Sequence, residues 1–420
     1  MRGLRSIAWL LVALPALSAP ARADEPFYLK DGDRVVFYGD SITDQRLYTT
    51  FVETYAVTRF PDKKFNFVHS GWGGDRVGGG GGGPIDVRLG RDVFAYGPTV
   101  MTVMLGMNDA SYRAFDKNIF ETYSKGYEHI VDSVTAAVPG VRMTLIQPSP
   151  FDDVTRKPNF EGGYNAVLVR YGDYIKELAK RKGVQVADLN TPVVKATEKA
   201  FASDPKNAER LNPDRVHPGD GGQLLMAAAL LKAWHAPSLV SRVTVQAGKE
   251  PKAKSEHTEV SDLRSEDGRL SWTQQDAGLP FPLDLGDPVI ALAVQSSDFV
   301  RNLDEQPLKV EGLEKGEYAL KIDGRDVGAF SAEQLAEGIN LATRSTPMVD
   351  QAKAVHRLTL KHANVHQFRW REIQVRLQNE VSPNLVRAIE GFDGYEAEIV
   401  KEQRDAARPV ARKYVIERKS

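Results

Sequence analysis

A serine, a histidine, an aspartate and an asparagine stand in short stretches of this chain whose composition suits ester chemistry. The stretches are Gly39-Asp40-Ser41, Gly71-Trp72-Gly73-Gly74-Asp75, Gly106-Met107-Asn108-Asp109 and Asp214-Arg215-Val216-His217. Acyl transfer needs an oxygen nucleophile, a base to take its proton, and donors where negative charge develops. Ser41 is the candidate nucleophile and His217 the candidate base. Asp214, three residues before His217, is near enough within a turn to accept from the imidazole Nδ1–H and hold its tautomer. The candidate oxyanion donors are the backbone N–H of Ser41, the backbone N–H of Gly74 and the side-chain amide of Asn108. Glycine lets the backbone approach a substrate closely, and asparagine is a neutral donor. Taken singly, each residue admits a plainer role: Ser41 or Asn108 can cap a helix, and Gly74 can allow a turn. Their order and joint presence favour the chemical reading. No convincing G-x-S-x-G elbow offers another source of it.

Such residues must be carried by a rigid frame. From Arg34 to about Ala236 strand and helix patterns alternate. Arg34–Tyr38, Phe65–His69, Thr99–Leu105, Arg142–Gln147 and Val184–Leu189 read as five strands, and Thr99–Leu105 is almost wholly apolar, as a strand covered on both faces should be. Helices are expected over about Gln45–Phe60, through Ile119–Val138 until Pro139-Gly140, through Tyr171 and Leu178, and over about Gly221–His235. Alternation of this kind implies βαβ units and a three-layer α/β/α domain with a parallel sheet. Working loops in such sheets lie beyond the carboxyl ends of the strands. The first three motifs fall there.

The four motifs together resemble the SGNH (GDSL-type) hydrolases, over about residues 30–236. The resemblance implies a flavodoxin-like α/β/α fold, with the Asp and His of a D-x-x-H block serving as orienting acid and base. It also implies esterase activity on short acyl esters, the family including carbohydrate acetylesterases, arylesterases, thioesterases and lysophospholipases. One departure is His69, which stands about five residues before the oxyanion glycine where family members usually have Asn. It reads as a structural support rather than a second base. Ile42 in place of Leu is a harmless apolar exchange. Tyr38, Asp40, His69, Trp72 and Arg76 are candidates for the rim of the site, simple packing being the alternative for Tyr38, Trp72 and Arg76.

The remaining features are less specific. The run Gly78–Gly83 lacks the Gly-Lys-Ser/Thr ending of a phosphate loop and reads as a mobile or close-packed rim. His362 and His366 fall in a strand-like context without an acidic partner, so no metal site is expected, and no cofactor motif is present. Trp272, Phe368 and Trp370 read as aromatic core, with stacking on a sugar ring as the alternative. Arg2 and Arg5 precede an apolar run from Ile7 to Ser18 and then Ala21-Arg22-Ala23, a secretory signal peptide cut after Ala23. Removing residues 1–23 takes away three arginines and no acid, so the net charge moves from −1 to −4, which argues against a nucleic acid partner. There is no cysteine, so an exported product must be stable through packing alone.

Beyond a polar, charged stretch at Gly248–Gly268, which reads as a linker or an exposed crossing, the pattern turns to short strands at Val289–Val294, Leu308–Val310, Tyr318–Ile322, Val327–Phe330, Arg357–Leu360 and Ile373–Leu377. Asp323-Gly324-Arg325-Asp326 reads as a hairpin turn. Ser331–Leu335 and Pro347–Val355 look helical. The chain thus divides into a signal peptide (1–23), a hydrolase domain (24–245), a mostly antiparallel β-module with short helices (246–380), and a charged helical tail (381–420). The expected function is that of an exported serine esterase, periplasmic or extracellular, acting on small-molecule or polysaccharide esters. The alternatives are a lipid-directed esterase and a non-catalytic surface-binding protein that works through the β-module.

Overall fold

Five short apolar runs build the central sheet of the first half: β1 (Arg34–Gly39), β2 (Asn66–Gly71), β3 (Val100–Met104), β4 (Arg142–Ile146) and β5 (Gln185–Ala187). The structure, a computed structural model, describes residues 26–266 and 268–419. The expected signal peptide lies outside the described residues. The five strands pair in parallel in the order β2-β1-β3-β4-β5. That order reverses direction between β1 and β3, which opens a crevice at the carboxyl ends of these two strands. In register, Gly39 at the end of β1 lies between Gly71 of β2 and Met104 of β3. The three loops that leave this row carry the first three motifs.

Helices complete the layers: α1 (Ser41–Asp44), α2 (Leu47–Arg59), α3 (Ile85–Asp92), α4 (Lys117–Ala137), α5 (Gly163–Lys182), α6 (Thr191–Ser203) and α7 (Asp220–Ala233), with a further helical turn at Pro205–Ala208. Side chains alternate across a strand, so neighbours on β1 report the two faces. Phe37 packs against Tyr48 and Trp234, which puts α2 and the end of α7 on one side. Tyr38 points the other way and lies beneath the guanidinium of Arg88 from α3. Helix α4 shows how local sequence sets an element. Asp116 caps it by accepting from the N–H groups of Asn118 and Ile119, and it buries Tyr123, Tyr127, Ile130 and Val134 at helical spacing. The Tyr127 hydroxyl then donates to the carbonyl of Val103 on β3 at 2.7 Å.

The second half holds two sheets. Strands β6 (Arg242–Gln246), β7 (Lys252–Glu256), β10 (Pro307–Glu311) and β13 (Ile339–Asn340) form one, in the order β13-β10-β6-β7. Strands β8 (Thr258–Glu266), β9 (Arg269–Asp276), β11 (Glu317–Ile322), β12 (Arg325–Ser331) and β14 (Arg412–Arg418) form the other, antiparallel, in the order β8-β9-β14-β11-β12. The β11–β12 hairpin turns through Asp323 and Gly324, both with positive φ, at the expected place.

Several expectations for this half are corrected. Gly248–Gly268 is not a linker but contributes β7 and β8. Val289–Val294 lies in helix α8 (Pro288–Gln295), where Asp287 accepts from the N–H groups of Val289 and Ile290 and Pro288 occupies the first turn. Helix α9 (Ala332–Glu337) falls where it was expected. Arg357–Leu360 lies inside the long helix α10 (Pro347–Gln367), and Ile373–Leu377 overlaps a π-helical continuation over Phe368–Val375. The tail is not helical throughout. Helix α11 (Pro383–Ala407) gives way to β14, which is the middle strand of its sheet.

Both halves are fastened to each other by polar side chains from α2. Arg59 is buried and donates to the carbonyls of Pro237 at 3.0 Å and Leu303 at 3.0 Å, with Asp304 3.7 Å away. Glu53 accepts from Gln403 of α11 at 2.8 Å and from His69 of β2 at 3.0 Å.

Candidate active site

Ser41 is the first residue of α1, immediately beyond β1. Asp40 caps that helix by accepting from the Ile42 N–H at 3.0 Å, which turns the chain sharply and leaves the Ser41 hydroxyl half-exposed. The Ser41 Oγ lies 2.8 Å from His217 Nε2, and His217 Nδ1 lies 2.7 Å from Asp214 Oδ2. Residues 176 positions apart thus join in one hydrogen-bonded row. The other oxygen of Asp214 accepts from the N–H groups of Val216 at 2.9 Å and His217 at 2.6 Å, so the carboxylate closes its own turn. Partial burial works to raise the Asp214 carboxyl, but those N–H groups and the imidazole prevail and hold it below its ordinary value.

Arg215, between these two residues, has the left-handed φ of 73° that non-glycine residues rarely adopt. Its carbonyl accepts from the Asp152 N–H at 2.9 Å and from the Asn212 amide at 3.0 Å. Its guanidinium binds the Asp152 carbonyl, Asp153 and Asn159, and lies over the Phe151 ring. The histidine-bearing loop is therefore pinned to residues 151–159. Nothing local in the sequence singled out Arg215, because its partners are about sixty residues away.

The three candidate donors leave adjacent strand ends. Gly74 has φ +81°, and its N–H has no acceptor among the described residues. The Asn108 amide donates to the Asp75 carbonyl at 3.0 Å, while its oxygen accepts from the Tyr112 hydroxyl at 3.0 Å. One of its two amide hydrogens remains free for another acceptor. Tyr112 was not anticipated, although its position four residues after Asn108 is a readable signal. Ser111 and Tyr112 both have positive φ, 58° and 54°, so this loop stores strain beside the site.

Beneath the loops lies a buried polar foundation. Arg88 donates to Asp75 at 2.9 Å and to the Ser70 carbonyl at 3.1 Å, and it pairs with Asp92. Asp109 accepts from the Val77 N–H at 2.9 Å. Burial pushes Asp40 up to about 7, with the carboxylates of Asp109, Asp75 and Asp44 adding to the rise. Burial likewise pushes Asp109 up to about 6. Arg88 was also missed; its i,i+4 spacing from Asp92 was the available clue.

The rim expectations divide. Arg76 is exposed and Trp72 half-buried beside the Gly73–Gly74 loop. Tyr38 and Asp40 are buried and act from below; the Tyr38 hydroxyl donates to Asp75 at 3.4 Å. His69 does not reach the rim. It is buried under α2, 2.8 Å from Thr49 Oγ1 and 3.0 Å from Glu53 Oε2, on the same face of its strand as Phe67. The glycine run is close-packed: a Cβ on Gly82 would stand 2.8 Å from the Trp72 ring and 2.7 Å from Arg88. His362 and His366 lie on helix α10 rather than in a strand, and they do have acidic neighbours. His366 Nδ1 is 3.0 Å from Glu396, and His362 lies 3.8 Å from both Glu53 and Glu396. Trp272 and Trp370 are buried, whereas Phe368 is exposed.

Residues 37–225 match the GDSL-like Lipase/Acylhydrolase family. This part of the chain resembles the GDSL/SGNH-type hydrolases, and the protein is an ester-hydrolysing enzyme. An acetylxylan esterase of Geobacillus stearothermophilus is 22% identical over 219 residues, covering 48% of this chain and 93% of that relative. A solved gut microbial diltiazem-metabolizing enzyme is 26% identical with a TM-score of 0.80, covering 93% of this chain and 98% of its own. The second half described above is thus shared with that enzyme as well as the first. The solved acetylxylan esterase Axe2 of Geobacillus stearothermophilus is 22% identical with a TM-score of 0.39, covering 49% of this chain and 96% of its own.

Proposed function

We propose that this protein is an exported serine esterase that removes short acyl groups, acetyl in particular, from carbohydrate or small-molecule esters. The observation that carries this reading is the row Ser41 Oγ, His217 and Asp214, with contacts of 2.8 Å and 2.7 Å. With Nδ1–H donated to Asp214, the lone pair of His217 Nε2 accepts the Ser41 proton as Oγ attacks the acyl carbon. The carbonyl oxygen becomes an oxyanion and accepts from the Ser41 N–H, the Gly74 N–H and the free hydrogen of the Asn108 amide. The imidazolium then protonates the departing alcohol. Water, deprotonated by the same imidazole, attacks the acyl-enzyme, and collapse returns the proton to Ser41 with release of the carboxylic acid.

Acetyl as the acyl group is supported by the likeness to an acetylxylan esterase, and small-molecule esters by the likeness to a diltiazem-metabolizing enzyme. Export is supported by the Arg-flanked apolar run near the N-terminus; no helix among the described residues is long and apolar enough to cross a membrane. The test is hydrolysis of p-nitrophenyl acetate and octanoate and acetate release from acetylated glycans. Ser41→Ala is expected to lower kcat by at least about 10³-fold. Equal rates for the two proteins would remove Ser41 from the mechanism. Preference for octanoate would turn the assignment to lipids, and no hydrolysis by the native chain would favour a binding role.

A further inference from the structure

The Gly71–Gly74 loop has a second boundary, supplied from nearly three hundred residues further along the chain. Asp44 ends helix α1, three residues after Ser41. Its Oδ2 accepts from the Gly73 N–H at 3.2 Å and from Arg371 Nη1 at 2.7 Å. Its Oδ1 accepts from the Gln367 amide at 2.9 Å. The Arg371 guanidinium also lies 3.8 Å from the centre of the Trp72 ring, and Trp370 meets the same ring edge-on at 5.6 Å. The Trp370 indole N–H donates to Asp92 at 2.7 Å, so it is anchored to the partner of Arg88. Arg46 adds a contact to Asn364 at 3.2 Å.

These residues belong to the end of α10 and its π-helical continuation. A π-helix has a wider turn than an α-helix, so consecutive side chains diverge less, and such segments recur at functional sites. Here the wider turn lets Trp370 and Arg371, adjacent in sequence, both address Trp72. The Asp44–Arg371 pair is about one-fifth exposed on each side, a setting in which ion pairs add little to stability. Its value lies in what it holds. Gly73 and Gly74 have no side chains with which to pack, and the next donor after the clamped Gly73 N–H is the unengaged N–H of Gly74. Oxyanion donors work only when they are fixed before charge develops.

We infer that Gln367 and Arg371, acting through Asp44 and Trp72, are positioning residues that set the Gly73–Gly74 loop for catalysis. The second half of the chain is thereby a working part of the ester-cleaving site. This rests on the proposed roles of Ser41 and Gly74.

The experiment compares steady-state kinetics of the full chain and of Arg371→Met, Gln367→Leu and Arg371→Lys, using acetate esters of two alcohols of different size. Arg371→Met leaves an unbranched apolar side chain beside Trp72 and removes the charge. The expected result is a fall in kcat of about tenfold for Arg371→Met, with KM within about twofold, equal for both alcohols, and largely restored in Arg371→Lys. Should Arg371→Met not fold, Gln367→Leu, which removes one donor to Asp44, reads the same contact. Unchanged kcat in folded variants overturns the inference. So does a loss confined to KM or to one alcohol, which would mark Arg371 as a contact to the acyl acceptor. Ser41→Ala is run alongside: if it keeps activity, the underlying site assignment fails; if it is inactive, the outcome bears on the clamp alone.

Discussion

The amide of Asn108 is held from both ends. Its oxygen takes the Tyr112 hydroxyl and its nitrogen the Asp75 carbonyl, so the group cannot flip without losing two hydrogen bonds. Burial pushes the Tyr112 phenol up to about 12, with Asp40 and Asp214 opposing its ionisation, so it remains a donor at any working pH. Asn108→Ala is expected to lower kcat on p-nitrophenyl acetate by about 10²–10³-fold. Tyr112→Phe leaves the amide in place but free to turn, and should cost about three- to tenfold, less than one full donor. If both variants lose equally, Tyr112 touches the reacting ester itself. At this scale the proposed site residues Ser41, Asp214, His217, Gly74 and Asn108 stand out in the sequence by residue type and local spacing, and the structure brings Ser41, His217 and Asp214 into one hydrogen-bonded row. His69, read as a structural support and also counted among the rim candidates, lies buried between Thr49 and Glu53 and away from the rim. Phe65, Phe67 and His69 recur with period two, and that alternation already assigned the imidazole to a buried face.

Helix α3 shows what a single element contributes from below. Arg88 is fully buried against Asp75 and Asp92 and lies over the rings of Tyr38 and Trp72. Replacing it with methionine leaves the buried Asp75 without its cation and Asp92 with Arg91 alone, so Arg88→Met is expected to destabilise by about 3–5 kcal/mol, measured by urea unfolding. A change below 1 kcal/mol would mean that water or a neighbouring base replaces the guanidinium. The strands of the parallel sheet and helix α4 were legible because burial on both faces, or on one helical stripe, imposes a clear period. The apolar run at Val289–Val294 was not. Six apolar residues fit a buried strand or a buried helix equally, and what decides is the Asp287 cap and Pro288, which favour the helix. Arg357–Leu360 was too short a window on a 21-residue helix whose buried positions extend from Met348 to His366. Strand β7 is exposed at all five residues and is charged, so no apolar period marked it.

Across the whole molecule the two halves meet on α2, where Glu53 faces His69, His362 and Gln403. Burial alone would raise the Glu53 carboxyl, but the neighbouring imidazoles of His362, 3.8 Å away, and of His69, hydrogen-bonded at 3.0 Å, prevail and hold it at about 2. A carboxyl held below its unfolded value stabilises the fold above that value and loses the contribution as pH falls through the folded one. The native chain should therefore lose stability between about pH 4.5 and pH 2. Glu53→Gln should flatten that part of the profile, as judged by urea midpoints at pH 7, 4 and 3. An identical slope in both proteins would place acid sensitivity elsewhere. This junction was invisible in the sequence because its members lie up to 350 positions apart and none belongs to a recognisable motif. Strand β14, at residues 412–418, lies between β9 and β11 in the centre of its sheet, and every other strand among the described residues precedes it in the chain. During synthesis the first half can emerge and fold long before that gap is filled. At ordinary ribosomal speeds the interval from the end of α7 to β14 is on the order of ten seconds or more. For that period the nascent hydrolase half exists without its completed companion, and a ribosome stalled there would display a recognisable but unfinished enzyme.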